Sequence, residues 1–309
     1  MACPQAGGGR RGHEGRERSG HGGTQVNQTI MLPDSLGEAV EALASSPAAV
    51  PVAGGTDLMA AVNSGRLRPA ALLGLGRINE LRGWQYQDGY ALIGATITHA
   101  RMDRPDFAAL MPALAAAARA AGPPQVRSAG TLGGNIVSAH PNGDTLPVLA
   151  ALEATLVLTG AEGTREIPVS HLLTGLDPLR GGELVSHVRV PLLHAPQVFL
   201  KAAPRSGPGR APASVAVVLD PGHRAVRCAV GGPAPVPLRP LEAEQWIASA
   251  VDWDGERSVD PAAAGAFGDY VAQACVPEPP DGGDLPADAR RLRRTVSVLA
   301  RRALGRVLR

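Results

Sequence analysis

A mixed α+β chain of two or three domains is predicted from three observations. With 309 residues and 44% hydrophobic content, the chain can bury more than one core. Short apolar runs of strand character alternate with segments whose apolar residues recur at helical spacing. Glycine and proline, 38 and 28 residues, punctuate the boundaries between them.

Residues 1–24 are rich in Gly, Arg and His and nearly free of large apolar side chains. Such a segment cannot bury enough surface to offset its ordering entropy, so a disordered tail or a misplaced start codon is expected, with an RNA-binding arm as the sharper alternative. From Ile30 onward the pattern is globular. Asp34 or Ser35 can cap a helix reaching Ser45, with Leu36, Val40 and Leu43 on one face. Residues 49–53 read as a buried strand ending at Gly54-Gly55, and residues 58–63 as a helix. Strands follow at 71–75 and 90–95. Residues 107–121 read as one long alanine-rich helix with Pro112 near its start, and residues 130–147 as a turn-rich loop. A helix at 147–152 and strands at 154–158 and 184–190 complete this part, the last closed by Pro191.

Past residue 195 the character shifts. A Gly/Pro-rich stretch at 204–212 leads to a strand at 214–219, whose antiparallel partner is expected at 225–230 across the turn Asp220-Pro221-Gly222-His223. A final helix spans 287–308, with Leu292, Val296, Leu299, Ala303 and Val307 as its apolar stripe. Its arginines fall mainly on the other face, read as a solvated or subunit-facing surface rather than a nucleic-acid site.

Composition excludes several classes. The net charge of +2 argues against a dedicated nucleic-acid surface. Cys3, Cys228 and Cys275 form no CxxC pair, so the chain holds no iron–sulfur cluster or structural zinc of its own, and scattered thiols suit a reducing cytoplasm. No apolar run approaches the roughly 20 residues of a membrane span, and Arg10-Arg11 precedes no apolar export region. The basic residues are 29 arginines and a single lysine, Lys201.

Two glycine-rich loops stand out. In Ala53-Gly54-Gly55-Thr56-Asp57-Leu58, a strand runs through a tight turn directly into a helix, whose first N–H groups and positive dipole end can face an anion. Thr56 adds a hydroxyl donor, and Asp57 is read as a helix cap. A plain strand–turn–helix junction reads equally well. In the second loop, Thr131, Gly133, Gly134 and Asn135 could supply hydroxyl, backbone and amide donors to a pyrophosphate. Asp144 is either an acceptor for ribose hydroxyls or a turn cap after Asn142-Gly143. Together the loops point to a ligand with two phosphates, gripped from both sides. Gly74-Leu75-Gly76 begins a Rossmann fingerprint, but Asn79 breaks it. The histidines are scattered without metal spacing or a nucleophile–base pairing, and only His99 is placed near a bound cofactor.

These residues occur in a recognisable order. Residues 53–58, Gly94-Ala95, 125–135, 141–147, Glu183-Leu184-Val185, Val190-Pro191 and Phe199-Leu200-Lys201 resemble the FAD-binding subunits of the molybdenum hydroxylases. The likeness covers roughly residues 28–309, and Trp253-Asp254 with the arginine-rich last helix makes the bacterial xanthine dehydrogenase FAD subunit the nearest variant. The resemblance implies a two-subdomain FAD-binding fold of the vanillyl-alcohol-oxidase/PCMH type, at about 25–88 and 89–195, followed by a small α+β domain at 196–309. It implies FAD as cofactor, with Pro51, Val52, Ala53, Gly54, Gly55, Thr56, Asp57 and Leu58 wrapping the pyrophosphate. Thr131, Gly133, Gly134 and Asn135 would meet it from the other side. Asp144 would hold the ribose or ribityl region, Val185 would lie against the rings, and Lys201 near the flavin. The stretch 202–212 is longer than the family's turn at that place.

The function implied is an electron-transfer subunit with no acid–base dyad of its own. A 2Fe-2S subunit would deliver electrons from a molybdenum–pterin subunit, and NAD⁺ or another acceptor would take them. The alternatives are a carbon monoxide dehydrogenase-like or aldehyde-oxidising complex, and a flavin-free scaffold that kept the fold.

Overall fold

The structure, a computed structural model, describes residues 29–202, 211–279 and 283–308. The predicted tail and most of the glycine–proline stretch lie outside them.

The chain opens with β1 (Thr29–Met31), α1 (Leu36–Ser45), β2 (Ala49–Val52), α2 (Thr56–Asn63) and β3 (Ala71–Gly74). The three strands form a parallel sheet in the order β1-β3-β2. Of the two proposed caps for α1, Ser35 takes the role: its Oγ accepts the Glu38 N–H, while the Glu38 carboxylate accepts the Asp34 N–H. Ala39, Val40 and Leu43 bury the inner face. β2 is less buried than expected. Only Ala49 is fully covered, because β2 is an edge strand, where Pro51 removes no ladder bond.

A five-stranded antiparallel sheet follows, ordered β4-β5-β8-β6-β7. Its strands are β4 (Trp84–Gln87), β5 (Tyr90–Gly94), β6 (Thr155–Gly160), β7 (Gly163–Pro168) and β8 (Leu184–Pro191). Between β5 and β6 lie α3 (His99–Met102), α4 (Pro105–Leu110), α5 (Pro112–Ala120), α6 (Pro124–Ala129), α7 (Leu132–Ser138) and α8 (Thr145–Ala151). α9 (Val169–Thr174) joins β7 to β8.

Two expectations fail here. The single helix at 107–121 is two, because the ring of Pro112 disfavours helical backbone at Met111, which takes φ −129° and ψ 70°. The turn-rich loop at 130–147 contains α7. Thr131 caps it by accepting the Gly134 N–H at 3.1 Å, which offsets the low helix propensity of Gly133-Gly134.

The third sheet is antiparallel, β11-β10-β9, built from β9 (Gln197–Lys201), β10 (Ser214–Asp220) and β11 (Ala225–Gly231). The predicted hairpin pairs Ser214 with Gly231 and Asp220 with Ala225. Every residue of β10 is buried, since both faces are covered. Val215, Val217 and Leu219 pack on α10 (Leu241–Ala250), α11 (Pro261–Cys275) and α12 (Ala287–Val307), while Ala216 and Val218 join the core under the five-stranded sheet. α12 buries Val296, Leu299, Ala303 and Val307, with Leu292 partly covered, as its stripe predicts. Glu153, at φ 52° after α8, accepts from Arg227 and Arg239, tying the helical layer to the third sheet. Among the described residues, no helix is long and apolar enough to cross a membrane.

Candidate cofactor site

A cavity of about 1160 Å³ opens where the three sheets meet. All fifteen residues singled out from the sequence line it: Pro51 to Leu58, Thr131, Gly133, Gly134, Asn135, Asp144, Val185 and Lys201. The parallel sheet contributes the end of β2 and the start of α2. The helical layer contributes α7 and the start of α8, and β8 and β9 supply Val185 and Lys201.

The first loop carries the donors. Gly55 adopts φ 69°, a left-handed conformation that admits glycine without strain, and turns the chain into α2. The first backbone bond from this segment to the preceding turn is Met59 N to Gly55 O, at 2.9 Å. The N–H groups of Gly54, Gly55, Thr56, Asp57 and Leu58 find no acceptor among the described residues. Five consecutive amides without an acceptor among the described residues, at the wall of the cavity, are donors that an anion there could use. Asp57 makes no capping bond, contrary to expectation, because the left-handed Gly55 occupies the cap position. Gly54 is required by close approach. A Cβ there would lie 1.9 Å from the Ala129 carbonyl oxygen, so the two loops touch with no room for a side chain.

The second loop acts differently from what its composition suggests. Its backbone donors are spent inside the chain: Gly133 N–H on Ala95 O at 2.8 Å, Gly134 N–H on the Thr131 hydroxyl oxygen, and Asn135 N–H on Thr131 O at 3.0 Å. Gly133 is needed for packing, since a Cβ would sit 2.7 Å from that of Ala95. What remains for a ligand is the Thr131 N–H and hydroxyl proton and the Asn135 amide nitrogen. The Asn135 carbonyl accepts from Thr145 Oγ1 at 2.5 Å, which leaves the amide nitrogen as donor.

Asp144 does not cap a turn. It is buried, and Lys201 Nζ donates to its Oδ2 at 2.7 Å and to Ala120 O at 3.1 Å. Burial raises the Asp144 carboxyl above the usual range, and the Lys201 ammonium pulls it back in part. Lys201 also sits at the C-terminal end of α5, where a cation is favoured.

The cavity wall also includes residues that the sequence reading did not assign to the site. His99 lines the wall as expected, and so does His140, which was not expected to. Leu179 and Glu183 line it too, on the segment between α9 and β8. Arg165 of β7 holds that segment. Its guanidinium donates to both Glu183 carboxylate oxygens, to Asp177 Oδ1 at 2.7 Å and to Pro178 O at 2.9 Å. A fork of donors reaching three residues is visible only once the chain is folded.

Residues 24–193 match the family model described as the FAD binding domain in molybdopterin dehydrogenase. The chain is 32% identical over 223 residues to the glyceraldehyde dehydrogenase medium chain of Sulfolobus acidocaldarius, covering 70% of this chain and 79% of that one. It is 30% identical over 226 residues to the putative xanthine dehydrogenase FAD-binding subunit of Escherichia coli, covering 70% and 77%. A solved structure of carbon monoxide dehydrogenase from Hydrogenophaga pseudoflava aligns with a TM-score of 0.73 at 28% identity, over 91% of this chain and 96% of that one. These likenesses do not single out the xanthine branch that the sequence favoured. The family model spans more than half of the chain: the chain belongs to the family of FAD-binding domains of molybdopterin dehydrogenases.

Proposed function

We propose that the cavity holds FAD, and that the chain relays electrons between a 2Fe-2S partner and a terminal acceptor within a molybdenum hydroxylase complex. The observation that carries this reading is the row of free amides from Gly54 to Leu58, which fits the pyrophosphate of a dinucleotide. Bound FAD supplies one-electron and two-electron redox chemistry, which no side chain here could replace. The chain's own residues bind and orient. The first loop takes the diphosphate, and the Thr131 hydroxyl and the Asn135 amide face it from α7. The Asp144 carboxylate accepts from ribose or ribityl hydroxyls, held in place by Lys201. Val185 and Leu184 give an apolar wall against the rings and exclude water.

The complex would contain a molybdenum–pterin subunit and a 2Fe-2S subunit, in keeping with an FAD-binding chain that has no cysteine cluster. We assign the substrate to the range represented by xanthine dehydrogenases and carbon monoxide dehydrogenases, with the aldehyde-oxidising branch beside them. NAD⁺ is the acceptor in the xanthine dehydrogenase-like reading, and a cytoplasmic setting suits it. The test is the visible spectrum of the purified chain before and after denaturation, with the released compound weighed. A flavin spectrum and the mass of FAD are expected. A colourless chain that takes up no added FAD would leave the flavin-free scaffold. Purification with partners, followed by a substrate panel with and without NAD⁺, separates the branches.

A further inference from the structure

His99 is 4% exposed, yet its side chain lines the cavity. Its Nδ1 is sealed inside the protein with no hydrogen-bond partner, whereas Nε2, which makes no bond among the described residues, is not sealed in the same way. A neutral imidazole has one donor and one acceptor, and both are unanswered by the protein. A ligand in the cavity can meet only a nitrogen that is not sealed, so Nε2 is the ring atom whose partner the cavity would supply.

The surroundings locate that partner. The His99 N–H donates to Gly130 O at 3.0 Å, and its ring lies so close to Gly130 that a Cβ there would be 3.1 Å from Cδ2. Gly130 Cα is in turn within 3.0 Å of where a Gly54 Cβ would stand. His99 therefore packs at the seam where the two glycine loops touch. Asp57 is the charged group whose field it feels. We infer that His99 is a further FAD-binding residue, its imidazole hydrogen-bonding the cofactor beside the amides of the first loop. This rests on the proposal that the cavity holds FAD.

The test is a titration of apoprotein with FAD, read by quenching of flavin fluorescence, together with ¹⁵N spectra of the histidine ring nitrogens. FAD is expected to shift a ring-nitrogen signal that is missing from His99→Gln. His99→Leu should raise Kd about tenfold, the loss of one hydrogen bond in a dry site, and His99→Gln should recover most of it. Wild-type protein that binds FAD with the His99 signals unmoved overturns the inference and leaves the FAD reading intact. The inference also falls if His99→Leu binds FAD as wild type does, the partner then being a buried water. If His99→Leu does not fold, the wild-type spectra decide alone. Wild-type protein that takes up no FAD overturns the inference and the underlying reading together.

Discussion

Lys201 Nζ lies 2.7 Å from Asp144 Oδ2, an ion pair between residues 57 apart in sequence that joins the third sheet to the start of α8. The two partners are unequally covered, with side-chain exposures of 28% and 7%. Removing either leaves the other unpaired, but only Lys201 can turn to water. Lys201→Met should therefore destabilise the protein by about 2 kcal/mol, and Asp144→Asn by less. Urea unfolding of both variants checks the order. Equal losses would mean that the pair acts only through its packing.

The contact between the glycine loops gives a second expectation. Gly54→Ala places a methyl group 1.9 Å from the Ala129 carbonyl oxygen, and backbone on both sides must move. A loss of about 2 kcal/mol, or failure to bind FAD with the fold retained, should follow. Gly76→Ala is the control. Its Cβ would meet nothing within 4 Å, and the change should leave melting temperature and FAD uptake near wild type.

Acid should expose the state of His99. Burial lowers its pKa from the ordinary 6.5 to about 4, with the nearby Asp57 charge acting weakly in the other direction. The unfolded chain therefore takes up a proton near pH 6.5, while the folded chain refuses it until about pH 4. The stability this contributes is complete above pH 6.5 and is lost as pH falls toward 4, by about 3 kcal/mol in all. His187, also lowered by burial, adds in the same direction. Asp144, raised by burial, works in the opposite one. The readout is thus the difference between wild type and His99→Gln in melting temperature from pH 7 to 4. The gap should shift in favour of the variant as the medium becomes acid.

Arg165 offers a stability test away from the loops. Arg165→Met leaves the Glu183 and Asp177 carboxylates without their shared donor, and Glu183 is only 11% exposed. A loss of stability is expected. Proteolysis should quicken between α9 and β8, where Leu176 is already exposed and Leu179 forms part of the cavity wall. Arg165→Lys, which keeps the charge but not the fork, should recover only part of the protection.

The local elements were legible where one residue type decides the backbone. Ser35 marked the start of α1, Gly54-Gly55 the turn into α2, Asp220-Pro221-Gly222-His223 the hairpin, and the spacing from Leu292 to Val307 the face of α12. The misreadings arose where a neighbour overrode composition. Glycines at 133 and 134 read as loop but entered α7, because Thr131 caps it and Gly133 packs on Ala95. Pro112 read as an early helical residue but ended the helix before it. Strands β4 and β7 and helices α10 and α11 left too weak an apolar pattern to be read.

By itself the sequence determined which residues could serve a dinucleotide. Glycines, hydroxyls, one aspartate and one lysine at unusual places were enough, because such residues carry their chemistry locally. Only the tertiary structure decided how the work is divided among them. A backbone N–H serves a ligand only if no carbonyl in the fold has taken it. The amides from Gly54 to Leu58 stay free, while those of Gly133 and Gly134 are consumed by Ala95 and Thr131. The same holds for Asp144, whose partner lies 57 residues away, and for His99, whose unmet nitrogen exists only because packing has removed water from around it. Hydrogen-bond satisfaction and desolvation are properties of the folded whole, and no local stretch of sequence encodes them.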